Sequence, residues 1–196
     1  MCLKYSDLQW HDPVAIRAIL GQRRWNTTTH NDPDLWNGVY GDLPYSSPRA
    51  AALRKATPGD GMLFFARLRP YDGRRFDGAA GFYFVSSWWI DKVIDVRENT
   101  RLRLDRGIAD NPHIRKRAAG NRQRFSLYVA SPPPNRLTPP VRIDRLFLAR
   151  TLPESTGWTW NSGRSLLQTI GSYLRTVRAV NAADHQDLLE LVRVGG

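Results

Sequence analysis

Cysteine is almost missing from this chain: Cys2 is the only one in 196 residues. That excludes an internal disulfide and a thiolate metal cage. Loss of Met1 would make Cys2 an N-terminal nucleophile. Enzymes of that kind follow the cysteine with glycine, whereas Leu3 stands here, so Cys2 is read as an ordinary terminal residue. No apolar run approaches the ~18 residues that a membrane span needs. The opening Met-Cys-Leu-Lys-Tyr-Ser-Asp has no apolar signal core. The expected location is the cytoplasm, with no membrane partner. There is no phosphate-cradling glycine loop of the P-loop or dinucleotide type, so no nucleotide cofactor is expected. A serine nucleophile elbow and a His-Glu-x-x-His motif are also missing.

Lysine is scarce as well, yet the chain is strongly basic. Lys and Arg total 29, very few of them lysine, and the formal net charge is +11 with a pI of about 10.5. Arginine forks onto phosphate and stacks on bases better than lysine does. This charge favours a polyanionic partner, most simply nucleic acid. An arginine-rich proteome would raise the pI in the same way with no ligand. Hydrophobic residues make up 41% and aromatics 11%, which is globular composition. The length suits one domain over 1–196 with a single buried core.

Asp12-Pro13 predicts the start of a first helix, with Ile16, Ile19 and Leu20 on one face and Gly21 as its stop. Residues 26–46 read as a long polar loop, and such a loop usually has work to do. Ser47-Pro48 introduces a short helix over 50–56. Pro58-Gly59-Asp60 turns into a strand over Met62–Leu68, and a longer strand follows over Gly81–Val96 with a bend near Ser86-Ser87. The hairpin-like loop between them carries Arg74 and Arg75. The segment 97–124 is basic, with Arg101, Arg103, Arg106, Arg115, Lys116, Arg117, Arg122 and Arg124 around Asn111-Pro-His113. Further strands are expected over Phe125–Ala130 and 142–148, separated by proline-rich breaks at 131–135 and 138–140. From residue 156 the pattern is helical, with Leu166, Ile170 and Leu174 on one stripe. Several strands without strand–helix alternation predict an α+β domain: a small mixed or antiparallel, barrel-like sheet with flanking helices and a C-terminal helical extension over 156–196.

The densest possible chemistry lies in the polar loop. His30, Asp32 and Asp34 alternate, so an extended chain would point them the same way. With His113 they could hold a divalent metal, or His30 and Asp32 could act as a general acid–base pair. The plainer role for Asp32 and Asp34 is to satisfy loop amides as turn and cap residues. Whether a metal is needed stays open. Asp42 follows glycine beside this loop and joins His30, Asp32 and Asp34 as a candidate catalytic group. Trp36 and Tyr40 are the aromatics placed to line a pocket, since they sit in the polar loop, and base stacking on such rings contributes ~1–3 kcal/mol. Arg74, Arg75, His113, Arg115, Lys116, Arg117 and Arg122 are the candidate nucleic-acid contacts.

His30-Asn-Asp-Pro-Asp34, Tyr40-Gly-Asp42, Gly59-Asp60 before Leu63-Phe-Phe65, and Gly81-Phe-Tyr-Phe84 together resemble the nucleotide-modification-associated domain 3 family. Asn111-Pro-His-Ile-Arg-Lys116 and the strand over Phe125–Ala130 extend the resemblance, which covers roughly residues 26–150. It implies proximity to DNA-modifying systems. A Pro-Gly-Asp turn feeding an apolar strand, then a glycine-led strand, is also similar to the PUA and ASCH group of β-barrels. That likeness implies a PUA-like core over 26–150 and an aromatic-lined pocket for RNA or for a flipped, often modified base. The resulting expectation is a nucleic-acid-associated domain, with DNA favoured over RNA, that recognises or helps to synthesise a modified base. Two alternatives stand beside it. One is a metal-dependent nuclease or hydrolase using His30, Asp32, Asp34 and His113; the other is a non-catalytic interaction domain. Whether the chain is an enzyme is not decided by these residues.

Overall fold

The computed structural model describes residues 13–27, 32–72, 74–97, 106–130 and 134–144, with single positions at Lys4, Ser6, Gly163, Ser165, Val177, Ala179, Gln186, Leu188 and Glu190. Helix α1 (Pro13–Trp25) is broken at Gly21, where φ is 73°. Strand β1 (Val39–Asp42) follows, then a 3-10 helix over Pro48–Lys55, β2 (Gly61–Leu68) and β3 (Gly81–Val96). Two short helices, α2 (Arg106–Ala109) and α3 (Pro112–Ala118), precede β4 (Phe125–Ala130) and β5 (Asn135–Ile143).

All strand pairings are antiparallel. The main order is β1-β4-β3-β2, and β5 also pairs with β3. β3 organises the sheet because it changes neighbour along its length. Its first half, Phe82–Ser87, lies between β2 and β5, while Ile90–Val96 lies against β4. The change coincides with register shifts between Phe84 and Ser86 and between Ile90 and Lys92. The bend expected near Ser86-Ser87 is thus accompanied by a second irregularity further on, of the kind that re-aims a strand. The protein is an α+β fold with an antiparallel five-stranded sheet. Among the described residues the sheet is open, with β1 and β2 at its two ends.

Successive residues on a strand face opposite sides, and both sides of this sheet are covered. On one, α2 and α3 bring Ile108 and Ile114 onto Val39, Val96, Phe125 and Leu127. On the other, the 3-10 helix lays Ala50 and Leu53 on Ile90 and Tyr128, with Tyr40, Met62 and Val93 packed around them. A third cluster joins Phe84 and Ile143 to Leu188.

Three local expectations are corrected. The loop read over 26–46 contains β1, which is short and interrupted by Gly41, so it carries little strand signal. The basic segment holds α2 and α3; α3 begins at Asn111-Pro112, where the Asn111 side chain accepts the His113 N–H, as expected of a cap followed by proline. Strand β5 starts at Asn135 and runs through Pro139-Pro140, at a sheet position where proline's missing N–H is tolerated. Arg101, Arg103 and the Leu166, Ile170 and Leu174 stripe lie outside the described residues.

Candidate functional site

The chain reverses between Asp32 and Asp42, and this reversal distributes the acids. Asp34 forms a bridge with Val39. Its carboxylate, on a residue only 4% exposed, accepts Trp36 N–H at 3.0 Å, Asn37 N–H at 3.1 Å and the Asn37 side-chain amide at 2.7 Å. Both oxygens of Asp34 are therefore engaged in closing the turn.

Asp32 is placed differently. One oxygen, Oδ1, accepts the Gly41 N–H at 2.9 Å and lies 3.4 Å from the Asn111 side-chain amide, a long contact. The other, Oδ2, lies 3.3 Å from His113 Nε2, and the two side chains are 2% and 13% exposed. That separation is within ion-pair range but the contact is not a hydrogen bond, and among the described residues Oδ2 is buried with no hydrogen-bond partner. A buried polar atom in that state is unusual enough to need an explanation.

Asn111 ties this arrangement to the fold. Its Oδ1 caps α3 by accepting His113 N–H at 2.9 Å, and its amide faces Asp32. Gly41 allows α3 to sit so close: a Cβ there would come within 2.7 Å of His113 Cδ2 and 2.8 Å of Asn111 Oδ1. The His113 ring is stacked against Phe125 at 5.4 Å. It lines an open depression with Leu43, Lys116, Asn121, Gln123 and Phe125.

Asp42 and Tyr40 belong to the opposite face of β1. The Tyr40 hydroxyl donates to Asp42 Oδ2, and Leu43 N–H donates to Asp42 Oδ1 at 2.7 Å. The Tyr40 ring meets Phe64 edge-on at 5.6 Å and lies 6.1 Å from Tyr128. Burial, then the hydrogen bond to Asp42, holds the Tyr40 hydroxyl far above its ordinary pKa. Tyr128, fully buried, is pushed up to about 12, chiefly by burial, and donates to Leu53 O at 3.0 Å. Ser126 is the cross-strand partner of both Asp42 and Asp95. Hydrogen bonds from Arg124, at 2.8 and 2.6 Å, hold the Asp95 carboxyl below the usual carboxylate range, with a smaller contribution from Arg97. The Arg124 guanidinium lies 3.3 Å over the Tyr45 ring.

The structure therefore brings Asp32 and His113 together, turns Asp34 into the turn, and places Asp42 with Tyr40 across the strand. His30 lies outside the described residues. Trp36 is 57% exposed at the turn. Arg74 and Arg75 are exposed in the β2–β3 loop, where Asp72 Oδ1 accepts both backbone N–H groups. On α3, Lys116 reaches the depression. Among the described residues Arg115 Nε and Nη1 are buried without a hydrogen-bond partner, Arg117 donates to Arg97 O, and Arg122 is exposed. Among the described residues no group of three His, Cys, Asp or Glu side chains is gathered to hold a metal. Asn111 and Gly41 went unassigned in the sequence reading, although the Asn-Pro cap signal and the Tyr-Gly-Asp motif both mark them.

The family described as nucleotide modification associated domain 3 matches residues 2–180. This chain belongs to that family. The match extends on both sides of the 26–150 stretch that carried the resemblance, and it takes in every described contact of Asp32, Asn111 and His113. Membership links the protein to nucleic-acid modification. No curated protein and no solved structure matches the chain. Among the described residues no helix is long and apolar enough to cross a membrane.

Proposed function

We propose that this protein recognises, or helps to make, a modified base in nucleic acid, DNA in preference to RNA, on the α3 side of the β1–β4 pair. One observation carries the reading: a buried carboxylate, Asp32, turns toward His113 an oxygen with no hydrogen-bond partner among the described residues, and the His113 ring lines an open depression. A carboxylate 3.3 Å from one ring nitrogen favours an N–H on that side and so biases the roles of the two nitrogens. The outward edge then offers a defined donor or acceptor to a base, or moves a proton. Phe125, stacked under His113, and Leu43 supply apolar walls, while Lys116 at the rim supplies charge for a phosphate. Asp34, closed into its turn, is not a partner in this centre, which disfavours the metal-dependent hydrolase built on His30, Asp32, Asp34 and His113. The antiparallel sheet with its bent central β3 is compatible with a PUA-like core, and Val177 and Leu188 suit a C-terminal segment packed on that core within a single cytoplasmic domain.

The test is a panel of duplex oligonucleotides carrying unmodified and modified bases, read by fluorescence anisotropy. Asp32→Asn and His113→Gln should each remove discrimination among the bases while leaving the salt dependence of binding unchanged, because phosphate contacts position and base contacts specify. Lys116→Ala should lower the slope of log affinity against log salt by about 0.9. Discrimination that survives both Asp32→Asn and His113→Gln refutes the site.

A further inference from the structure

Among the described aromatics Trp36 is the most exposed, ahead of Phe76 at 45% and Tyr45 at 42%. Trp88, for comparison, is 2% exposed, whereas Trp36 is 57% exposed. Its exposure is not the looseness of a loop tip. The Asp34 carboxylate accepts the backbone N–H groups of Trp36 itself and of Asn37. The Asp34 N–H donates to Val39 O at 2.8 Å, and Asp34 O accepts from Gly38 and Val39. Gly38, at φ +64°, presses the turn onto the end of β4 so closely that a Cβ there would lie 2.5 Å from the Ala130 Cβ. A buried acid and a close-packed glycine thus hold a large ring outward in one place.

One face of that ring is occupied. The Arg136 guanidinium, from β5, lies 4.0 Å from the ring centroid. The exposure therefore belongs to the other face and the edges. The fold contains a second such stack, Arg124 on Tyr45, and the difference between them is informative. Arg124 is forked onto Asp95, so its charge is spent within the protein. Among the described residues no carboxylate pairs with Arg136, and the charge beneath the Trp36 ring is left uncompensated. A flat, preorganised π-face beside a guanidinium that no described carboxylate neutralises, on a chain of net charge +11, matches the chemistry of a nucleotide: a base stacks on the ring and its phosphate meets the cation.

We propose that Trp36 and Arg136 form a stacking site for an unpaired nucleotide, with Asp34 as its positioning residue. The base lies on the open face of the indole, and the guanidinium draws the adjoining phosphate. Single-stranded nucleic acid and a nucleotide extruded from a duplex present the same groups. The proposal rests on the reading that this protein binds nucleic acid, and it is tested separately from the Asp32–His113 centre.

The experiment measures Kd for the full chain with three fluorescent probes: a short oligothymidine, a paired duplex, and the same duplex with one bulged nucleotide. Trp36→Ala should weaken oligothymidine binding by roughly 5- to 150-fold, the equivalent of one lost base stack, and Trp36→Phe should retain most of it. Arg136→Ala should weaken binding and lower the single-strand salt slope by about 0.7, whereas Arg124→Ala should leave that slope unchanged. Asp34→Ala should weaken the same probe, with rescue by Asp34→Asn. A preference for the bulged over the paired duplex that vanishes in Trp36→Ala identifies an extruded nucleotide as an occupant; its absence, with oligothymidine binding still lost, identifies a single strand. Wild-type protein that binds none of the probes overturns both this proposal and the nucleic-acid reading. Wild-type binding that Trp36→Ala leaves unchanged overturns this proposal alone.

Discussion

The two faces of β1 carry similar residues put to different ends. On the α3 face, Asp32 is buried with one oxygen that has no donor among the described residues and that is turned toward His113 beside an open depression. On the opposite face, Asp42 accepts the Tyr40 hydroxyl and the Leu43 N–H, and Asp95 is forked by Arg124. On the second face both acids have their hydrogen bonds met, and satisfied polar groups hold a fold rigid. The first leaves a polar atom without its bond, and such unmet capacity is what a ligand or a reaction can use. On the proposed reading, place in the hydrogen-bond network, more than residue type, separates Asp32 from Asp42.

The strongest way to break this comparison is to remove the acid from each face in turn. If His113 moves a proton during base modification, His113→Gln, which keeps most of the side-chain volume, should lower turnover by about 10²–10⁴-fold. Asp42→Asn should leave turnover and base discrimination unchanged. A loss of discrimination in Asp42→Asn with full thermal stability would move the site to the other face.

Alkaline pH probes the network face alone. Tyr128, held protonated up to about 12, ionises near its ordinary value of about 10 once unfolded. Its folded-state pKa is raised, so its contribution is complete below pH 10 and is lost as pH climbs toward 12. Unfolding free energy should fall over that window by at most about 1.4 kcal/mol per pH unit for this group, and Tyr40 adds in the same direction. Tyr128→Phe should flatten the decline in urea titrations; an unchanged decline would show that Tyr128 is not its source.

Gly41 tests the close approach on the α3 face. Gly41→Val should cost about 1–3 kcal/mol, as overpacking does, because the new side chain meets His113 and Asn111. Base discrimination should fall in the same variant. A neutral thermal shift would mean that α3 gives way without cost.

The smallest effect should come from the Arg124–Asp95 pair, which is partly open to solvent. Arg124→Ala should lower stability only slightly at neutral pH, as loss of a solvent-screened pair does. The Asp95 carboxyl is held below its ordinary range, so this contribution is present above the unfolded carboxylate pKa and disappears as pH falls through the folded one. Parent and Arg124→Ala should therefore converge in stability on acidification, and a gap that persists at low pH would contradict the pairing.

Much of the framework was legible in the residues. The apolar and aromatic runs at 62–68, 81–96 and 125–130 coincide with β2, β3 and β4 because such side chains fill a sheet covered on both faces. The Asn-Pro start of α3 was present in the sequence as a cap followed by a proline, but the surrounding arginines hid it. β1 was not legible: four residues including a glycine carry no periodic signal, and only pairing with β4 makes them a strand.

The candidate site divides along the same line. The sequence by itself determined the charge, the absence of a thiolate cage, the family motifs, and the presence of histidine and acids near one another in the chain. It could not determine which of them meet. Alternation predicts that Asp32 and Asp34 point the same way only while the chain stays extended; the reversal at 34–39 spends Asp34 on the turn and leaves Asp32 facing α3. His113 and Asn111 reach Asp32, and Arg136 reaches Trp36, from elements far along the chain. Local preference carries no information about such contacts. They exist because β1 pairs with β4, β5 lies against β3, and a glycine at position 41 lets a helix close over the strand, which are decisions of packing alone.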